Sequence, residues 1–371
     1  MKRILIDANP AVPYLVSGKM SGIGRTAIEL IRTLDGMREE LPFQISLYTQ
    51  NVRGITAKGL KTSFRCRHAY LRNNDSGNAL ARKLRLREIL GRYDLQHITH
   101  NYEDVADPSR CVLTIHDAMF FSYPEEFLNH NLSRRTVPGL ARKARHIITI
   151  SECSKRDIMK HMDIPESRIT VIPWGIDRSF MNPHNPEPNR HCGNAPYFIS
   201  VSCDIGRKNT ISVIRAFAEF QKQSPRHHLI LVWRKPSEEA LKTIADNRIE
   251  DTVHFASNIT DRELGDLYAG ATASFFPSLY EGFGLPIAES MACGTPCITC
   301  RNSSLEEVGG KAAIYTEPYD IEDMAAIMGR FENKDFDLTS LKEASLTQAS
   351  KFTWSHCATE TINVYRKCLG I

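Results

Sequence analysis

No apolar run in these 371 residues approaches the roughly 20 that a membrane-spanning helix needs. The N-terminus, MKRILIDANP, sets its charge before a short apolar run and lacks the longer apolar region of a signal peptide. A cytosolic protein is the expectation. Internal repeats, heptad arrays and low-complexity tracts are also missing, which excludes solenoids, coiled coils and disordered tails. The ten cysteines show no disulfide framework, and a chain of this length needs no such staples. One C-x-x-C spacing exists, Cys297 and Cys300 with Cys293 nearby. If PCITC is a strand, residues three apart face opposite sides and cannot share a zinc ion. Small buried apolar cysteines are the reading that remains.

Apolar residues at 42% and charged residues at 24% fit a globular protein of two domains. The net charge of +4 conceals an asymmetry. Residues 1–190 hold 29 lysines and arginines against 20 acids, a surplus of nine, and the rest hold 18 against 23, a deficit of five. A basic N-terminal half implies an anionic partner, either a phosphate-bearing acceptor or an acidic membrane surface. The densest run is ARKLRLREILGR at 81–92. Read as one helix over 78–91, it sets Leu80, Leu84 and Ile89/Leu90 on a face ringed by Arg82, Lys83, Arg85, Arg87 and Arg92. Such a face is either a solvated helix surface or a contact for membrane or acceptor.

Apolar runs alternate with helical periodicity twice over. Strands are expected at 4–7, 43–49, 94–99, 111–116, 146–150 and 168–173, and again at 197–202, 228–233, 253–257, 272–276, 296–300 and 312–316. Helices are expected after residue 21, where Ala27, Leu30, Ile31 and Leu34 recur at helical spacing, and at 78–91, 133–144, 154–162, 210–221, 261–269 and 285–292. Ser154 with Asp157 resembles a capping box. The proline-rich stretch 183–196 reads as a linker. Continuous apolar strands with intervening helices imply an α/β fold of parallel sheets covered on both faces, whose ligands sit at the carboxyl ends of the strands.

The most informative stretch is PSLYEGFGLPIAESMACGTPCIT, residues 277–299. A strand ends at Phe276 and a helix begins near Leu285, with Gly282 and Gly284 in the turn. Glycines let the backbone approach a ligand, and the helix's first amides point at any anion in front of it. Glu281 and Glu289 bracket that anion site, and a carboxylate can accept from two vicinal hydroxyls. A second turn, CDIGRKN at 203–209, sets Arg207 and Lys208 at a helix start, where cations oppose the dipole and call for a negative partner.

The 277–299 stretch strongly resembles glycosyltransferase family 4, retaining enzymes of the GT-B fold. Its E-x7-E motif stands here as Glu281 and Glu289. The resemblance implies that Glu281 holds sugar hydroxyls, that Glu289 holds the nucleotide ribose, and that backbone amides of Gly282, Phe283, Gly284 and Leu285 meet sugar and phosphate. It further implies that Arg207 and Lys208 bind the donor diphosphate and stabilise the leaving group. The family's acidic-proline pair before them is replaced by Ile205-Gly206. SGIGRTAIEL at 21–30 resembles the family's glycine loop and contributes Gly22 and Gly24 to the donor and Arg25 to the acceptor. CVLTIHDAMFFSYPEEF at 111–127 matches a strand ending in a His-Asp pair, so His116 is assigned to catalysis and Asp117 to the acceptor. Ser151 or Ser154 would cap the following helix. Trp174 and Trp233-Arg234-Lys235 depart from the family at positions expected to border the donor.

Residues 1–182 with a C-terminal helix at 354–371 are therefore expected to form a Rossmann-like acceptor domain, and 197–353 the donor domain. The expected reaction is retaining transfer of a hexose from a nucleotide diphosphate sugar, with no cofactor and no metal, to a saccharide or lipid-linked acceptor in surface glycan assembly. Peripheral contact with an anionic membrane is a further expectation, and nucleic acid is not an expected partner. Resemblance of the His116 region to bacterial mannosyltransferases of surface polysaccharide assembly points to GDP-mannose, with UDP sugars second. The alternatives are a non-catalytic sugar-nucleotide-binding protein and another GT-B activity such as a sugar-nucleotide epimerase.

Overall fold

The computed structural model describes all residues except 19–21, 101–104, 127–129, 178–179, 181–189, 202, 204–205 and 224, together with the side chains of 130–132. Residues 183–189 of the expected linker 183–196, and Ile205, lie outside the described residues. Two units are distinguished, Met1–Gly175 with Thr353–Ile371 and Ile176–Phe352.

In the first unit, seven parallel strands run in the order β3-β2-β1-β4-β5-β6-β7: β1 Lys2–Asp7, β2 Phe43–Gln50, β3 Arg65–Ala69, β4 Leu95–Ile98, β5 Cys111–Thr114, β6 His146–Thr149 and β7 Ile169–Val171. The register pairs Ile4 with Ile45 on one side and with Leu95 on the other. Ile4, Leu5 and Ile6 are all buried, because helices cover both faces of a parallel sheet. The helix Gly22–Gly36 buries Ala27, Leu30, Ile31 and Leu34, the periodic face expected of it, and leaves a Glu29–Arg32 pair outside. The final helix, Trp354–Leu369, packs on this sheet, and its Tyr365 hydroxyl meets His97 Nδ1 at 2.6 Å. Gly175 permits the approach, since a Cβ there would lie 2.3 Å from the Trp354 nitrogen.

The second unit has six parallel strands in the order β10-β9-β8-β11-β12-β13: β8 Tyr197–Val201, β9 His228–Val232, β10 Val253–Ala256, β11 Ala273–Phe276, β12 Cys297–Thr299 and β13 Ile314–Tyr315. Phe198, Leu229, Leu231, Phe275 and Ile298 share one core with Val213 and Phe217 of the helix Thr210–Gln221. Both sheets are doubly wound, so each unit is Rossmann-like.

One strand was not foreseen and two sequence expectations are corrected. The edge strand β3, RCRHA, carries charge and no apolar run, and sits half-exposed as edge strands do. The helix 78–91 is broken in two, Asp75–Lys83 and Leu86–Gly91, by Arg85 in the left-handed conformation (φ 51°). The capping box at Ser154 is absent. Ser151 is the N-cap of Glu152–Met162 and accepts the Ser154 N–H at 3.0 Å.

Candidate active site

In the second unit, two loops at the carboxyl ends of the neighbouring strands β8 and β11 are stitched together through their backbones. The Arg207 carbonyl accepts from the Leu279 N–H at 2.7 Å and from the Ser278 hydroxyl at 3.0 Å. Asn209, left-handed at φ 56° and N-cap of Thr210–Gln221, donates through its amide to the carbonyls of Pro277 (3.1 Å) and Pro318, and accepts from Ser212. This lattice brings distant residues into one cluster. One oxygen of Glu281, Oε1, accepts from Arg207 Nη1 at 3.0 Å, from Lys208 Nζ at 2.5 Å and from the Ser278 hydroxyl at 2.9 Å. Arg207 Nη1 also donates to the Tyr280 carbonyl at 2.8 Å, and Lys208 Nζ lies 4.9 Å from the Phe276 ring centroid. The side chains of Arg207, Lys208 and Glu281 are 11%, 16% and 10% exposed, so this is a partly desolvated charge set in which one carboxylate oxygen meets two cations. The negative partner that the helix start calls for is, in this structure, Glu281.

Beside the cluster, Gly284 is the N-cap of Leu285–Ala292 at φ 102°. Any other residue would be strained there, and a Cβ would press on Leu305 at 3.1 Å. Pro286 lies in the helix's first turn, as its missing N–H allows. Glu289, one turn along, is buried, near enough to the Tyr268 hydroxyl to help burial hold that phenol well above its ordinary pKa. The second unit therefore gathers Arg207, Lys208 and Glu281 directly and sets Gly282–Leu285 and Glu289 on the adjoining turn and helix. Trp233 does not line this cluster. It packs in the core, edge-on to Phe255 at 6.5 Å, while Arg234 and Lys235 are exposed.

In the first unit His116 follows β5. Its Nε2 lies 3.1 Å from the Thr99 carbonyl, which can only accept, so Nε2 carries the proton and Nδ1 is the lone-pair nitrogen. Burial, aided by His100, pushes the His116 pKa down to about 3. The ring is neutral at ordinary pH and offers a buried acceptor with no hydrogen-bond partner among the described residues. Its neighbours are Trp174, edge-on at 5.1 Å, and a cavity of about 30 Å³ lined by His97, Thr99, Thr114 and Trp354, too small for a hexose. Asp117 accepts the Met119 N–H at 2.9 Å. Gly22 is the first described residue of its helix, with open space where a Cβ would be; Gly24 is buried and Arg25 half-buried.

Sequence reasoning placed Arg87 on an exposed basic face, and the structure buries it. Its guanidinium pairs with Asp7 at 2.6 Å and lies 4.4 Å from the Tyr48 ring centroid. Burial alone would raise the Asp7 carboxyl, but Arg87, His100 and the Asn9 N–H hold it below the usual carboxylate range. Asp7 ends the first strand, a position that could have signalled a buried partner. Also missed were Ser278, Ser303 and Ser304, which fasten the Glu281 turn and whose residue type carries no motif of its own.

Residues 20–180 match the family model described as Glycosyltransferase Family 4, and residues 182–348 that described as Glycosyl transferases group 1. Among curated relatives, the MMP alpha-(1->4)-mannosyltransferase of Mycolicibacterium hassiacum is 29% identical over 62% of this chain. The O-antigen chain mannosyltransferase B of Escherichia coli is 27% identical over 69%. The matched segment spans 56% of the first relative's length and 70% of the second's. Among solved structures, Thermosynechococcus elongatus sucrose-phosphate synthase superimposes with a TM-score of 0.75 at 15% identity, each chain covered in full. Anabaena HepE in complex with UDP-glucose superimposes with 0.73 at 17% identity, over 99% of this chain and 100% of that one.

Proposed function

Because the chain belongs to the glycosyltransferases, with its first half in family 4 and its second in group 1, we propose that it transfers mannose from GDP-mannose, with retention, to a saccharide or lipid-linked acceptor hydroxyl in surface glycan assembly. The observation that carries this reading is the convergence of Arg207, Lys208 and Glu281 beside the Gly284 helix start. Two cations on a partly dry loop suit a diphosphate, and their charge stabilises it as it leaves. Glu281 then accepts from the sugar's hydroxyls, the amides of Gly282–Leu285 meet sugar and phosphate, and Glu289 takes the ribose.

Retention follows if the departing phosphate oxygen accepts the acceptor's proton on the face from which it leaves, with no protein nucleophile. The residues named supply charge and hydrogen bonds without a resident metal. The first unit takes the acceptor through Arg25 and Asp117, Gly22 and Gly24 turn to the donor, and His116 serves catalysis through its lone-pair Nδ1. The mannosyl assignment is supported by the relatives' names and GDP by the resemblance noted above; the UDP-glucose bound to HepE keeps UDP sugars as the second choice.

A thermal-shift screen of GDP, UDP and ADP sugars tests the donor. A true donor at about 100 times its dissociation constant stabilises by about 2.7 kcal/mol, and a flat response to all of them would end the proposal.

We further propose that the first unit rests on an anionic membrane face from the cytoplasm. Among the described residues no helix is long and apolar enough to cross a membrane. Leu80, Leu84 and Ile89 are 43%, 49% and 61% exposed among the exposed cations Arg82, Lys83, Arg85 and Arg92. Vesicles with one-third phosphatidylglycerol should retain the protein at low salt and lose L80S/L84S/I89S. Equal retention by pure phosphatidylcholine would refute the electrostatic part.

A further inference from the structure

We infer that Ser303 is a positioning residue for Glu281: its hydroxyl fixes the peptide from which the sugar-binding carboxylate springs. The inference rests on the reading of Glu281 given above.

The turn is held from one side by the loop after β12. The Glu281 N–H donates to Ser303 Oγ at 3.0 Å, and the Ser304 hydroxyl lies 2.9 Å from the Glu281 carbonyl and 2.8 Å from that of Phe283. Both peptide groups of Glu281 are thus restrained. Two features mark these contacts as more than ordinary loop bonding. Ser304 is the N-cap of the helix Leu305–Gly309, yet its hydroxyl makes no capping bond to its own helix and reaches instead to the Glu281 turn. Ser303 holds a left-handed backbone, φ 46°, which glycine adopts freely and a serine adopts at a cost. What serine supplies there and glycine does not is the oxygen that takes the Glu281 N–H.

The consequence depends on the state of the site. Without ligand, Arg207, Lys208 and Ser278 also hold the carboxylate, so the Ser303 bond is one restraint among several. When a diphosphate draws the two cations to itself, the carboxylate loses its charged partners. Its aim at the sugar then depends on the backbone restraint from Ser303 and Ser304 together with the Ser278 hydroxyl. Loss of Ser303's hydroxyl should therefore damage the sugar-dependent step while leaving diphosphate binding nearly intact, since small misplacements of a reacting group cost rate steeply.

Glycine at this position provides the test, because S303G deletes the hydroxyl and relieves the strain at once. Expected for S303G are a melting temperature equal to or above wild type and a dissociation constant for the nucleoside diphosphate within about threefold. Its kcat/KM for the sugar nucleotide should fall at least tenfold, about the rate penalty of a misaimed group. S303N, whose side-chain oxygen can take the same N–H and which tolerates a left-handed backbone, should recover part of that loss. Amide hydrogen exchange over residues 278–285 should quicken in S303G and slow again in S303N. Wild-type turnover in S303G, or unchanged exchange over that segment, overturns the assignment. Should the wild type ignore every nucleoside diphosphate, the donor reading fails, and the exchange measurement alone still decides whether Ser303 restrains the turn.

Discussion

Replacing Glu281 by glutamine should move two affinities in opposite directions. In the unliganded protein its carboxylate neutralises Arg207 and Lys208 at 3.0 and 2.5 Å, and all three side chains are at most 16% exposed. A diphosphate must share those cations with a like charge. If its two negative charges sit about 6 Å from the carboxylate, the repulsion amounts to about 1.4 kcal/mol even at the dielectric constant of water. Removing it should tighten binding of the nucleoside diphosphate about tenfold. The sugar tells the other story: losing charge-assisted bonds from its hydroxyls should cost about 2–3 kcal/mol, lowering kcat/KM for the sugar nucleotide by about 30- to 150-fold. Calorimetric titration of E281Q with the nucleoside diphosphate, at low and high salt, measures the first effect, and steady-state turnover the second. The tightening should shrink as salt screens it. Weaker diphosphate binding in E281Q, parallel to its loss of turnover, would refute the idea that this acid acts as the cations' counter-ion before the donor arrives.

Two other expectations follow from the first unit. Arg87→Leu leaves Asp7 buried without its partner and should destabilise by about 3–5 kcal/mol in a denaturant titration, whereas the double variant D7N/R87L should lose distinctly less. Burial pushes the pKa values of His97 and His116 down to about 3 in the folded state from an ordinary value of 6.5. The unfolded chain therefore binds their protons first. Above pH 6.5 neither contributes, and as pH falls below it each should withdraw about 1.4 kcal/mol of stability per pH unit. Melting curves from pH 7 to 5 that show no acid loss, or an equal loss in H116Q, would contradict that environment for His116.

Periodicity revealed the elements that are regular and apolar. β4, β5, β6, β11 and β12 are short runs buried along their whole length, the helix face at Ala27–Leu34 repeats as expected, and a helix fills Leu285–Ala292. It failed at β3, whose Arg65, Arg67 and His68 suit an edge open to water and carry no apolar signal. It failed again at 78–91, where Arg85 breaks the helix and Arg87 turns inward. A charge was read as a surface residue because its partner, Asp7, lies eighty positions away. No local pattern links the two, and only the return of that helix to the carboxyl edge of β1 brings them together.

The site divides in the same way between what a motif names and what the fold supplies. Glu281, Glu289, Arg207 and Lys208 were legible because their spacing is tied to turns and helix starts. That Arg207 and Lys208 meet on a single oxygen of Glu281 was not legible, since it depends on Asn209, Ser278 and the Leu279 amide stitching β8's loop to β11's. The same holds for Ser303 and Ser304, which reach Glu281 from a third strand end. Serine is so common in loops that its presence predicts nothing; what gives these two meaning is a strained φ and a hydroxyl turned away from its own helix. Residues that carry charge to a ligand can be found by their chemistry, whereas residues that aim that charge become visible only once strands distant in sequence end side by side. Substitutions around this turn should accordingly split into two kinds, those at Arg207 and Lys208 that weaken diphosphate binding itself, and those at Ser278, Ser303 and Ser304 that spare it and lower turnover.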